Sequence, residues 1–140
     1  FCSLFLLRCY EYRRVHAEAR SRITAFVLDD AMSITRETNN LQEGTTINPL
    51  ATMAFMSRSF GISLIVACQN YAQISSYYKN NADSILAFSS SGEDAYSLQR
   101  HLNLSDAQAA LLPTLQPGEV IALARSTWPK AVRGRVPLLE

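Results

Sequence analysis

Three polar side chains directly follow two apolar runs of the sequence. Asp29 and Asp30 follow the run at residues 23–28, and Gln69 follows the run at residues 62–68. In an open parallel sheet, ligands bind at the carboxyl ends of the strands. Adjacent carboxylates are costly there unless a cation or water satisfies them, and Mg²⁺ prefers oxygen ligands. The pattern indicates a magnesium- and phosphate-binding edge; the plainer alternative is a strand end, a helix cap and a loop start.

Strands and helices alternate around these residues. The two apolar runs are short and almost uninterrupted, which is typical of strands buried on both faces of a parallel sheet. Helices are predicted over residues 4–20 and 50–60, with a polar loop over 35–46. Asn48-Pro49 gives the second helix an N-cap followed by proline, and Gly61 terminates it.

The C-terminal part continues with shorter elements. A third strand is predicted over residues 84–88, and helices over 93–102 and 105–112. The last of these begins with a capping box, Ser105-x-x-Gln108. Two strands over 120–124 and 131–136 complete the order α-β-α-β-β-α-α-β-β. This order predicts one α/β domain over residues 1–140, three-layered, with a mostly parallel sheet.

Bulk composition is that of an ordinary globular chain. Of 140 residues, 48% are hydrophobic and 18% charged, and the net charge of +1 indicates neither a nucleic-acid nor a membrane partner, although a local basic patch is compatible with it. Three cysteines without CxxC spacing suit a reducing, cytoplasmic compartment. Arg8 interrupts the apolar start, so we expect no membrane span in this segment.

Several blocks together resemble the HerA/FtsK superfamily of P-loop motor ATPases. Residues 23–31, ITAFVLDDA, resemble its Walker B strand, and residues 57–69, SRSFGISLIVACQ, resemble its block of arginine, glycine, apolar strand and glutamine. Residues 112–122, LPTLQPGEVIA, and Trp128-Pro129 resemble the tail of HerA-like ATPases. The resemblance extends over roughly residues 4–137, and its specificity lies in the order and spacing of the blocks.

The resemblance implies a RecA-like core that assembles as a ring, most simply a hexamer, with ATP and Mg²⁺ between subunits. The activity implied is ATP hydrolysis that drives a DNA translocase or helicase. In that scheme Asp29 holds the metal, Asp30 takes the place of the catalytic acid, and Gln69 contacts the γ-phosphate.

An arginine from a neighbouring subunit is also implied. Arg58 is the first candidate for this trans-acting finger, and Arg100 and Arg125 are held in reserve. Such a finger accelerates phosphoryl transfer by roughly 10³–10⁵ in other nucleotidases. The alternative for Arg58 is a solvated side chain near a helix C-terminus, where it favours the helix dipole.

Two features depart from the family pattern. The residue after the first acid is Asp30, where the family usually has glutamate. No G-x-x-x-x-G-K-[ST] occurs, since the five glycines are isolated from one another. We therefore expect the C-terminal part of a RecA-like core, lacking the Walker A segment and its strand, from a longer protein, and inactive alone.

Two alternatives to this hypothesis stay open, and a third is disfavoured. The chain could be a non-catalytic structural or assembly subunit with a degenerate ATPase fold, or part of a type IV secretion or conjugation ATPase. A receiver-like signalling domain is disfavoured, because the place of its further aspartate is taken by Gln69.

Overall fold

The computed structural model describes residues 2–16, 23–32 and 57–137. The chain divides into two compact units, Phe1–Asn81 and Ala82–Glu140. The predicted loop over 35–46, residues 17–20 of the first predicted helix and residues 50–56 of the second lie outside the described residues. The organisation of residues 1–140 as one ATPase core stays a prediction.

Helix α1, Cys2–Val15, opens the first unit, as predicted. Leu6 and Tyr10, one turn apart, are 2% and 5% exposed and face the core. Two edge-to-face ring contacts attach the helix to its neighbours: Phe5 with Phe26 at 6.3 Å, and Tyr10 with Phe60 at 5.2 Å between centroids.

Strands β1, Thr24–Leu28, and β2, Ile62–Val66, pair in parallel. The register aligns Thr24 with Ile62 at one end and Leu28 with Val66 at the other. Alternate residues pack towards the core, whereas Val27 and Ile65 on the opposite side are 67% and 52% exposed. The expectation that these strands are buried on both faces is therefore wrong, because among the described elements one face alone is packed.

The segment before β2 is tighter than predicted. Residues Ser57–Phe60 form a 3₁₀ turn rather than the end of an α-helix. Gly61 follows at φ 65°, so its predicted left-handed conformation is confirmed. After β2 the sequence pattern missed helix α2, Ser76–Asn81, which is only six residues long.

The core of the first unit lies against α1, the two strands and α2. Its buried members are Leu6, Tyr10, Leu28, Ala31, Ile62, Ile74 and Tyr78. Leu28 and Ala31 flank the turn that carries the paired acids, so the base of this turn is held by the core.

The second unit contains β3, Ser84–Ala87, then α3, Gly92–Leu102, and α4, Asp106–Ala109. A 3₁₀ turn, Leu112–Thr114, leads to β4, Glu119–Ala124, and β5, Trp128–Arg135. The Ser105–Gln108 capping box is present in full, as predicted. Leu98, Leu102, Leu112 and Ile121 are among its buried residues.

The sheet of the second unit is antiparallel, in the order β3-β4-β5. Arg125, Ser126 and Thr127 alone join β4 to β5, which is far too short for the crossover of a dozen or more residues that parallel pairing needs. The parallel pairing of β1 with β2 agrees with the prediction. A mostly parallel sheet is nevertheless wrong for the described strands, where one pair is parallel and two are antiparallel.

No helix within residues 2–16, 23–32 and 57–137 has the length and apolarity needed to traverse a bilayer.

Candidate functional site

Asp29, Asp30 and Gln69 lie at one edge of the parallel pair. Beyond the last paired residues, the Ala67 N–H donates to the Leu28 carbonyl at 2.8 Å, and the Ala31 N–H donates to the Ala67 carbonyl at 3.2 Å. These bonds bracket the two acids and continue the pairing past the end of β1. Gln69 follows two residues after Ala67, at the same carboxyl edge.

Asp30 adopts a left-handed backbone conformation, with φ 47°. Asp29 Oδ1 accepts the Asp30 backbone N–H at 3.0 Å and so supports the turn. Aspartate and asparagine enter this region far more readily than other residues with a Cβ, because their short polar side chains bond locally. Glutamate lacks this advantage, and the turn therefore gives a physical reason for Asp30 where the resembling family has glutamate.

The three polar side chains of this edge are exposed, whereas Ala31 beside them is 1% exposed. Their carboxylate and amide groups are thus open to a ligand while the backbone beneath is fixed. Within the described residues, no three His, Cys, Asp or Glu side chains cluster as a metal site. Mg²⁺ commonly binds through one or two carboxylates, phosphate oxygens and water, so Asp29 and Asp30 fit a magnesium–nucleotide site better than an all-protein cage.

Arg58 lies at the opposite end of β2. It belongs to the 3₁₀ turn that precedes the strand, and β2 spans about 13 Å from Ile62 to Val66 at about 3.3 Å per residue. The structure therefore does not bring Arg58 to the edge of Asp29 and Gln69 within one chain. Its proposed action on a neighbouring subunit stays a prediction.

Arg13 is a positioning residue that the sequence pattern did not single out. Its Nη1 donates to the carbonyls of Phe60 and Gly61, each at 3.1 Å, and its Nη2 donates to the Thr24 hydroxyl. One guanidinium thus joins α1 to the starts of both strands. The available signal was the spacing of Leu6, residue 10 and Arg13, which places the arginine on the buried stripe of α1.

The segment after Gln69 packs mainly by its aromatic rings. Tyr78 is 8% exposed, its hydroxyl has no hydrogen-bond partner, and burial raises its pKa to about 12. Lys79 Nζ donates to the Ala72 carbonyl at 2.8 Å and lies 5.2 Å from the centroid of the Tyr71 ring. These contacts fix the chain on the carboxyl side of Gln69.

The two reserve arginines belong to the second unit. Arg100 is exposed in the last turn of α3. Arg125 follows β4, and its Nη1 donates to the Ala82 carbonyl at 2.7 Å. Asp83 reinforces the same turn by accepting from the Ser126 N–H and hydroxyl at 3.1 and 2.8 Å.

Comparison with known proteins gives structural similarity alone. No family profile matches the chain, and no curated protein matches it. B204, the DNA-packaging ATPase from Sulfolobus turreted icosahedral virus, is 15% identical, with a TM-score of 0.69 over 96% of this chain and 62% of that one. B204 from Sulfolobus turreted icosahedral virus 2 in complex with ATP-γS is 16% identical, with a TM-score of 0.62 over 82% and 53%.

VirB4 of Thermoanaerobacter pseudethanolicus is also similar, at 22% identity and a TM-score of 0.68 over 88% of this chain and 33% of that one. The chain therefore spans little more than half of the B204 chains and a third of VirB4. At these identities the similarity concerns the fold. The mixed α/β fold, with its parallel pair, is compatible with the P-loop NTPase-like fold of these motor ATPases.

Proposed function

We propose that the chain is part of a HerA/FtsK-type P-loop ATPase that hydrolyses Mg-ATP to move DNA through a ring. The observation that carries this proposal is the carboxyl edge of β1 and β2, where two exposed acids on a fixed turn follow β1 and an exposed glutamine follows β2. The fold similarity to B204 from Sulfolobus turreted icosahedral virus 2, in complex with ATP-γS and with AMPPCP, supports a nucleotide as the ligand.

Each of the three residues has a distinct role in this scheme. Asp29 would hold Mg²⁺, directly or through its water shell, and the ion would neutralise charge on the phosphates. The Asp30 carboxylate, which the left-handed turn holds in place, would orient the attacking water and accept its proton. The Gln69 amide would contact the γ-phosphate and so distinguish ATP from ADP.

Two parts of the site would come from elsewhere. The phosphate-binding loop is not among these 140 residues, and we place it upstream in the full-length protein. The arginine would come from the next subunit of a ring, most simply a hexamer, with Arg58 the first candidate and Arg100 and Arg125 the next. The chain alone is therefore expected to hydrolyse no ATP.

A type IV secretion or conjugation ATPase is the second candidate. The similarity to VirB4, which extends over 88% of this chain, favours it. The two candidates share the same nucleotide chemistry and differ in what is moved, so stimulation of hydrolysis by DNA separates them. A non-catalytic assembly subunit would lack a G-x-x-x-x-G-K-[ST] loop upstream as well.

The test is ATP hydrolysis by the full-length protein, with and without DNA. We expect Asp30→Ala to lower kcat by about 10²–10⁴, as removal of a general base does, while nucleotide binding is retained. Glu93→Ala, which removes an exposed acid of α3, is the control and should leave kcat unchanged. Equal turnover by wild type and Asp30→Ala, or an upstream sequence without the loop, would refute the catalytic proposal.

A further inference from the structure

Strand β5 and the turn before it concentrate positive charge. Residues 120–139 contain four cations and no aspartate or glutamate, although the whole chain has a net charge of only +1. The four are Arg125, Lys130, Arg133 and Arg135, and all are exposed. The net charge of the sequence therefore conceals a local basic strip.

The pairing with β4 arranges part of this strip. Arg133 is paired with Ile121, and Arg135 with Glu119, so both arginines lie on the face of the sheet that carries these two residues. Side chains on one face of a strand repeat at about 6.7 Å. Among the described strands, β5 pairs with β4 alone, and its other edge is open.

Glu119 orients one of these cations. Its Oε1 accepts from Arg133 Nη2 at 2.8 Å, while its Oε2 accepts the Gln116 N–H at 2.8 Å. The Gln116 bond and the Arg133 guanidinium hold the pKa of Glu119 below its ordinary value. Because the Arg133 side chain stays 50% exposed, the pair aligns this cation without removing it from solvent.

A cavity of about 320 Å³ adjoins the strip. Its walls are Leu102, Asn103, Ser105, Gln108, Pro129, Lys130 and Ala131. The ammonium group of Lys130 and the amides of Asn103 and Gln108 can bond polar atoms of a ligand, while leucine, proline and alanine supply apolar contact. The volume is at the small end of ligand pockets and is sufficient for one nucleobase. Lys130 belongs both to the cavity and to the basic strip.

We propose that β5 and the adjoining cavity bind a single-stranded nucleic acid, with Lys130, Arg133 and Arg135 on its phosphates and one unpaired base in the cavity. The choice of a nucleic acid over another polyanion rests on the proposed motor function. A single strand fits because a base within a duplex cannot leave its stack to enter a cavity without the cost of unpairing. Amide side chains are suited to the hydrogen-bonding edges of such a base.

Binding of a fluorescein-labelled 20-nucleotide oligo(dT), followed by anisotropy without ATP, tests the proposal separately from the nucleotide site. Three phosphate contacts predict a slope of about −2 for log K against log salt, or roughly 20-fold weaker binding at 200 mM than at 50 mM. Lys130→Gln/Arg135→Gln should make the slope shallower, at about −0.7, and weaken binding roughly 60-fold at 50 mM salt. Arg133 is left intact because it pairs with Glu119.

The matched control is Arg8→Gln/Arg14→Gln, which removes two exposed cations of α1 and changes the net charge equally. It should alter affinity by less than about threefold. Ala131→Leu, which narrows the cavity, should weaken oligo(dT) binding about tenfold and leave binding of a 20-base-pair duplex unchanged. Thermal melting of each variant establishes that it is folded.

Three results would overturn the proposal. Equal losses in both double variants would show a response to net charge alone. Unchanged affinity in Lys130→Gln/Arg135→Gln would show that β5 is not part of the nucleic-acid interface. Poly(L-glutamate) binding with the affinity and salt slope of oligo(dT) would assign the surface to an acidic protein. Each result bears on β5 and leaves the ATPase proposal standing, because no nucleotide takes part in the assay.

Discussion

Substitution of Asp30 tests the left-handed turn that presents the paired acids. A left-handed residue with a Cβ costs about 1–2 kcal/mol, and glycine avoids this cost. We therefore expect Asp30→Gly to change the free energy of unfolding by less than about 0.5 kcal/mol. Asp30→Ala, which loses the local bonding ability of aspartate, should be less stable than Asp30→Gly by about 1 kcal/mol.

Two other positions provide matched controls. Asn103 at the end of α3 also has a positive φ, 53°, so Asn103→Gly should likewise be more stable than Asn103→Ala. Ala95 lies within α3, where the order should reverse, with Ala95→Gly about 1 kcal/mol less stable than wild type. Urea unfolding of the 140-residue chain, followed by far-UV circular dichroism, measures all five variants.

The relative stability of Asp30→Ala and Asp30→Gly shows whether the turn is left-handed in solution. If Asp30→Ala were as stable as Asp30→Gly, or more so, the turn would not be left-handed in solution. The explanation given above for aspartate in place of glutamate would then fail as well. A parallel result at Asn103 would show that the assay resolves a difference of this size.

Two further predictions concern the surroundings of the site. Arg13→Ala should destabilise the chain by about 2–3 kcal/mol, because carbonyl partners at the start of β2 lose a charged donor, whereas Arg14→Ala, at an exposed ion pair, should change stability by less than about 1 kcal/mol. Equal urea midpoints for Arg13→Ala and Arg14→Ala would contradict the stabilising role assigned to the Arg13 hydrogen bonds. Tyr78→Phe should be neutral or stabilising by about 1 kcal/mol at pH 7, because it removes an unpartnered buried hydroxyl. Folding raises the pKa of Tyr78 from 10.0 to about 12, so its contribution is intact below pH 10 and falls by about 2–3 kcal/mol towards pH 12. Because phenylalanine does not titrate, only the wild-type stability should fall in that range, and the stability–pH curves of wild type and Tyr78→Phe should diverge by about 2–3 kcal/mol towards pH 12. Parallel curves would refute the assigned pKa.

The carboxyl edge could be predicted because its determinants are local. Two short apolar runs indicate strands, and a polar residue directly after each run indicates where the strand ends. Parallel pairing then brings the two ends together without any knowledge of side-chain packing. The register of Leu28 with Val66, and the backbone bonds that flank Asp29, are the geometry that this reasoning requires.

The antiparallel sheet could not be predicted from the same signals, although part of the information was present. Pro129 argues against a strand, because it has no N–H to donate, and the predicted last strand therefore began at residue 131. The structure accommodates Pro129 because β5 is an edge strand whose register shifts between Ala122 and Ala124. The strand then begins at Trp128, and the three-residue turn this creates requires antiparallel pairing.

The arginines show what residue type and spacing leave undetermined. Arg58 and Arg13 are both cations near the start of β2, and the resemblance favoured the first as the functional residue. The hydrogen bonds show that Arg13 holds the amino ends of both strands, opposite the edge of the acids, while the role of Arg58 stays a prediction. The partners of a cation that bonds main-chain carbonyls cannot be identified from residue types, because every residue has a carbonyl.

Position 30 combines chemistry and backbone conformation in one residue. A glutamate there would carry its carboxylate one methylene further towards a ligand, but it would lack the tolerance of aspartate for φ 47°. The Asp29–Asp30 turn is anchored on either side by bonds to Ala67, so it cannot move to compensate for a change in side-chain length. A full-length enzyme carrying Asp30→Glu should therefore be less stable than wild type, whatever its turnover. A gain in both stability and turnover would show that the left-handed turn does not explain the presence of aspartate at position 30.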